Sequence, residues 1–258
     1  MIRSVLFIIV FVLSVGVSAQ IRFDRLELQY KQEYKIIGSD ILVVDTLIMN
    51  DSSKIILNRE IKENIINAKV LIAGKGCMIF GRGANGEIGK IGTQGVSQNA
   101  PCRNGGDGKE GMNGSIGGDA LNLSLYIGTL KINGTLIIDL NGGDGGSGGR
   151  GGKGGNGGSG TRVCRGGSGG IGGNGGNGNN GGQGGNLLVS CKLCYDLHQI
   201  QGERLITNTY GGYAGNGGEG GNGGQAGLGP KQDGRNGARG AMGIKGKAGK
   251  TGIIKFDK

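Results

Sequence analysis

The sequence predicts an all-β protein. A β-solenoid-like (or sandwich) scaffold carries three inserted glycine-rich hairpins, which together form a six-helix polyproline II bundle. Three observations predict this. Of 258 residues, 64 are Gly, and the glycines keep a period of three instead of scattering. The clearest stretch is 234–252, GRNGARGAMGIKGKAGKTG, where every glycine falls in one phase. A three-residue period means that one face of a three-fold helix lacks side chains. The polyproline II helix has three residues per turn and no internal hydrogen bonds, so its backbone needs neighbouring runs as partners. Finally, short apolar runs rich in Ile, Leu and Val recur between the glycine segments at spacings of 60–70 residues, roughly the signature of stacked units.

Residues 1–19 read as a secretory signal: Arg3 leads, Val5 to Val15 is apolar, and Val17-Ser18-Ala19 precedes Gln20. The apolar run is short for a membrane span, and a retained N-terminal anchor is the alternative. Export makes the protein secreted or cell-surface and permits disulfides. Residues 20–81 read as the N-terminal β scaffold, with apolar runs at Ile41–Val44, Leu47–Met49, Ile55–Leu57, Val70–Ala73 and Met78–Phe80.

From residue 82 to 258 the glycine segments interleave with scaffold strands at 120–140, 187–210 and 253–256. The first excursion leaves at Phe80, breaks around Pro101-Cys102 and returns at Leu121. The second, mostly Gly-Gly-X, leaves at Leu140, breaks at Cys164 and returns at Leu187. The third leaves at Tyr210, breaks at Pro230 and returns at Ile253. Each outward leg has about 20 residues and spans roughly 60 Å at ~3.1 Å per residue, so the three tips share one end. The denser glycine of 142–185 places it inside the bundle, with 83–95, 105–117 and 234–252 at its rims.

This pattern over residues 82–252 resembles the glycine-rich polyproline II bundle proteins, a group that includes snow-flea antifreeze proteins and phage tip adhesins. The resemblance implies a bundle held by N–H···O=C and Cα–H···O contacts, with function on outward side chains or tip loops. The β scaffold is a departure from that group.

Cys102 and Cys164 sit at adjacent tips and are candidates for a disulfide, worth about 4 kcal/mol in the loop-entropy account. Cys77, Cys191 and Cys194 lie on the scaffold; one pair among them leaves a single thiol, and the sequence leaves that pairing open. Cys191-x-x-Cys194 follows an apolar strand, where a spacing of three puts side chains on opposite faces. With His198 it supplies three of the four ligands of a structural zinc, so structural cysteine is preferred. No cofactor and no metal are expected. Asp45, Asp139 and Asp196 are scattered, which argues against an enzyme.

Charge carries the functional expectation. The chain bears a formal net charge of +10, and eight Lys or Arg after residue 230 face only Asp233 and Asp257. Arg235, Arg239, Lys245, Lys247 and Lys250 occupy non-Gly positions of the last run. They are candidate polyanion-binding residues for acidic glycans, lipopolysaccharide or extracellular nucleic acid. The expected protein is therefore an exported, non-enzymatic structural or adhesive surface or matrix component. Ice binding is one alternative, and a solenoid enzyme acting on polysaccharide is another.

Overall fold

The computed structural model describes residues 20–194 and 197–257. The signal-like segment 1–19 and Asp196 lie outside these residues, as does the side chain of His198. The described chain is all-β apart from one helical turn. Its strands are β1 (Ile21–Leu28), β2 (Glu33–Lys35), β3 (Ile41–Met49), β4 (Lys54–Ile56), β5 (Glu63–Ala73), β6 (Cys77–Phe80), β7 (Asn122–Ile132), β8 (Leu136–Asp139), β9 (Leu187–Cys191), β10 (Leu205–Asn208) and β11 (Ile254–Asp257), and the turn is α1 (Leu197–Ile200).

Successive strands alternate between two sheets, ordered β1-β3-β5-β7-β9-β11 and β10-β8-β6-β4-β2. All pairings are parallel. Parallel neighbours reached through a second sheet are coils of a solenoid; a hairpin-built sandwich would be antiparallel. Equivalent residues stack along the coil axis, for example Leu42 on Ile66, Leu125 and Val189, and Ile55 on Ile79 and Ile138. These side chains are fully buried. Each contributes about 1.5–3 kcal/mol of apolar burial.

Inward alternation shifts by one residue in the middle of the long strands: Leu42 and Val44 are buried, then Leu47 and Met49. The shift falls at Asp45, Lys69 and Gly128, one above another on adjacent coils. Lys69 bridges Asp45 at 2.8 Å, and a side chain at Gly128 would strike the Lys69 backbone.

Short corners join the first coils at 36–40 and 57–62. The second is closed by buried amides: Asn58 N–H donates to Asn64 Oδ1 at 2.8 Å, and Asn58 Nδ2 donates to the Ser39 carbonyl at 3.0 Å. At the same corner of the next three coils the glycine hairpins are inserted. They comprise run 1 (82–99), run 2 (103–120), run 3 (141–160), run 4 (165–186), run 5 (210–229) and run 6 (233–252). No run is helix or strand.

Every third residue of a run donates its backbone N–H to a neighbouring run. Run 1 donates to run 3 (Gly86 to Asp144, 2.7 Å) and run 3 to run 5 (Gly148 to Asn216, 2.8 Å). Run 2 donates to run 4 (Gly111 to Asn174, 2.8 Å) and run 4 to run 6 (Gly175 to Ala241, 2.8 Å). Other bonds zigzag between these two rows, from run 2 to 1, 3 to 2, 4 to 3, 5 to 4 and 6 to 5. Runs 3 and 4 therefore each bond to four others, and runs 1 and 6 to two.

Run 2 departs from the rim position expected for 105–117, because it bonds to runs 1, 3 and 4. A single glycine phase suffices there. Gly105 and Gly108 meet the backbone of run 3, whereas Lys109, Met112 and Ser115 donate to run 1 with their side chains at the margin.

The two rows continue the two sheets without a change of register. Phe80 pairs with Asp139, 59 residues on, and Asn85 reaches Asp144 at the same separation. Leu123 pairs with Leu187 at 64, a separation repeated by Asn113 and Asn177. The scaffold thus sets which residues of the glycine runs face one another.

Candidate functional site

The basic residues of run 6 divide between two surfaces. Carbonyls at 235, 238, 241, 244, 247 and 250 accept N–H groups from run 4, and the N–H groups of Arg235, Lys247 and Lys250 donate back to Ser168, Asn180 and Gln183 side chains. This phase places Arg235, Lys247 and Lys250 on the face formed by runs 2, 4 and 6. Residues 236, 239, 242, 245, 248 and 251 form the other phase, beside run 5. There Asn236 Oδ1 accepts the Ala226 N–H at 2.8 Å, and Arg239 Nε donates to the Gly220 carbonyl at 3.4 Å. Arg239 and Lys245 share that phase, so the five basic residues do not form one ridge. All five are exposed.

Glu219 lies 3.9 Å from both Arg239 and Arg150. Among the described residues, no carboxylate lies within ion-pair distance of Arg235, Lys245, Lys247 or Lys250. Across the same face, the acids sit on run 2. Asp107 Oδ1 accepts the Ile171 N–H, Asp119 Oδ1 accepts the Gln183 N–H, and Glu110 accepts the Asn174 amide. The face is therefore acidic at one margin, uncharged along run 4 beyond Arg165, and basic at the other.

The amide side chains along run 4 answer a backbone requirement. Each X residue of Gly-Gly-X has an N–H that no backbone carbonyl meets. Where an acceptor is present it is mostly a side-chain oxygen one coil earlier: Asn113 for Asn177, then Asn177 for Ile244, and, continuing the pattern from β7, Asn122 for Asn186, then Asn186 for Ile253. The opposite face uses the same device from Asn85 to Asp144 to Tyr213. Such ladders are invisible to periodicity, although the many Gly-Gly-Asn triplets were their signal.

At the tips, Cys102 and Cys164 are joined in a disulfide with their Cα atoms 6.1 Å apart. Cys191 and Cys194 form a second. The expected opposite-facing arrangement fails because β9 ends at Cys191 and a turn through Lys192-Leu193 brings the Cα atoms to 5.6 Å. Those two sulfurs are thus committed to each other and not to a metal. Cys77 remains a buried thiol, its pKa raised by burial.

The tip also gathers Arg103, Arg162, Arg165 and Lys231, all exposed; Lys231 Nζ donates to the Val163 carbonyl at 3.4 Å. Sequence reasoning missed this group, although an Arg follows each tip cysteine. Asp45 pairs with Lys69, and Asp139 Oδ1 accepts the Asn141 N–H, so the two do not converge. Among the described residues, no three His, Cys, Asp or Glu are placed to hold a metal, and no helix is long and apolar enough to cross a membrane.

No protein-family model and no curated protein matches this chain. One solved structure is similar to it, a springtail antifreeze protein from Granisotoma rainieri described as a nine polyproline type II helical bundle whose crystal waters match the ice lattice. It is 25% identical, over 67% of this chain and 94% of that one, with a TM-score of 0.12. Superposition that poor carries no argument about function.

Proposed function

We propose that the protein is an exported, non-enzymatic structural and adhesive module of a surface or matrix. In this reading the six glycine runs are polyproline II helices packed as a bundle, and the basic margin of run 6 engages polyanions such as acidic glycans. The period-of-three hydrogen bonding supports the helix type, since one bond per turn of a three-residue helix gives that spacing. The observation that carries the binding reading is the set of exposed cations at Arg235, Lys245, Lys247 and Lys250, none with a carboxylate partner among the described residues. Their field is strengthened by the segregation of Asp107, Glu110 and Asp119 to the far margin. The scattered placement of Asp45 and Asp139 supports a non-enzymatic role.

The test is titration with heparin and with a single-stranded DNA at low and high salt. Binding is expected to weaken with salt, losing about 0.7 unit of log–log slope for each phosphate contact removed on the single-stranded DNA. Lys247→Glu with Lys250→Glu should flatten that dependence. Salt-independent or absent binding to both probes would remove the reading.

A further inference from the structure

Tyr210 and Tyr213 are 64% and 80% exposed, and they stand one triplet apart on run 5 where it leaves β10. Both belong to the phase of run 5 that bonds to run 3: their carbonyls accept the Gly142 and Gly145 N–H groups. Their own N–H groups donate to Asn141 Oδ1 and Asp144 Oδ1, each at 2.8 Å. Asp144 N–H in turn donates to Asn85 Oδ1 at 2.9 Å. The two rings therefore share one face with a row of planar polar groups whose orientation is fixed by backbone bonds. One oxygen of each group is used in that fixing. The Asn141 and Asn85 amide nitrogens and the second Asp144 carboxylate oxygen remain as donors and an acceptor. Arg82, Asn141, Asp144, Tyr210, Tyr213 and Thr251 line a shallow depression of about 260 Å³ at this place.

We propose that this patch is a binding platform for a neutral polysaccharide of β-1,4-linked pyranoses. The C–H-rich face of an equatorially substituted pyranose packs on an aromatic face, which is negative at its centre, while its hydroxyls point outward in the ring plane. Recognition thus needs exposed rings beside donors and acceptors lying at the same level, the combination found here. The spacing selects the linkage. One triplet of an extended run is about 9 Å, close to the length of two β-1,4-linked residues, after which such a chain presents the same face again. One ring can stack on each alternate sugar, with Asn141 and Asp144 reaching the hydroxyls between them. Thr251 belongs to run 6, but Lys247 and Lys250 bond to run 4 on the opposite face, and the site rests on the extended bundle proposed above for its spacing.

The test is calorimetric titration of the full-length, disulfide-intact protein with cellohexaose and with N-acetylchitohexaose. Saturable binding to at least one is expected, unchanged by salt. Tyr210→Ala and Tyr213→Ala should each weaken it about tenfold, whereas Tyr213→Phe, which keeps the ring, should bind as the parent does. Lys247→Glu with Lys250→Glu should leave hexasaccharide binding unchanged, so failure of the polyanion reading is separable from failure of this one. Far-ultraviolet circular dichroism and melting of the same samples report whether the runs are ordered as the spacing requires. Absence of binding to both hexasaccharides by the ordered protein, or alanine variants that bind as tightly as the parent, would overturn the platform.

Discussion

The side-chain oxygen of Asn177 accepts the backbone N–H of Ile244, 67 positions later in the chain, at 2.8 Å. The same separation joins Leu187 to Ile254 in the scaffold sheet. The bond ties run 4 to run 6 on a face where the N–H would otherwise be left to water. Asn177→Ala should therefore cost about 1 kcal/mol, the usual net worth of one hydrogen bond. Asn177→Asp, which keeps the acceptor, should stay near the parent. Thermal unfolding followed by circular dichroism compares the two.

Glycines within one run should differ sharply in their tolerance of a methyl group. A Cβ at Gly108 would run into the Gly152 carbonyl of run 3, whereas one at Gly106 comes no closer than 3.1 Å, to the Val96 nitrogen. Gly108→Ala is expected to cost about 3 kcal/mol through forced displacement of two backbones. Gly106→Ala should change stability by less than about 1 kcal/mol, since its phase already carries Lys109, Met112 and Ser115. Denaturant titration of both variants measures the contrast.

Removing the tip disulfide should lower stability without dispersing the runs. Paired Cys102→Ser and Cys164→Ser substitutions open a crosslink spanning 62 residues, worth about 4 kcal/mol in the chain-entropy account. In the oxidised native protein, a thiol reagent should modify Cys77 only on unfolding, because the thiol is buried and its pKa is raised by that burial. Mass spectrometry of labelled protein below and above the melting temperature reads this directly.

The ion pair beneath the strand bend sets a small acid dependence. The Lys69 ammonium beside Asp45 holds that carboxyl below its ordinary range, and Arg25 does the same for Glu27. A lowered native pKa contributes stability that is present above the unfolded value and lost as pH falls through the native one. The melting temperature should therefore decline as pH drops below the ordinary carboxylate range of about 4. Lys69→Met should shrink that decline; an unchanged acid profile would show that the pair contributes nothing.

Ice shaping is expected to be absent. Lattice matching needs a flat array of short side chains, but runs 1, 3 and 5 present exposed Ile88, Ile91, Arg150, Lys153 and Glu219. The opposite face carries Glu110, Ile116, Ile171, Lys247 and Lys250, all exposed. Thermal hysteresis measured on the folded protein checks this, and a clear positive would favour the antifreeze alternative.

By itself the sequence determined the all-β scaffold, the three inserted hairpins and the residues within each run that lack side chains. Those features follow from local periods of two and three, because a residue's face is fixed by its position within the repeat. Tertiary structure alone decided the rest. The scaffold proved parallel, which apolar runs such as Ile41–Val44 and Ile55–Leu57 leave undetermined until pairing is known. The division of Arg235, Lys247 and Lys250 from Arg239 and Lys245, the ladder through Asn113 and Asn177, and the alignment of Asp144 with Tyr213 all depend on separations of 59 to 69 residues. A period along the chain says which side chains share a face. Which neighbour that face meets is set by the stacking of the solenoid coils, whose register the glycine runs inherit.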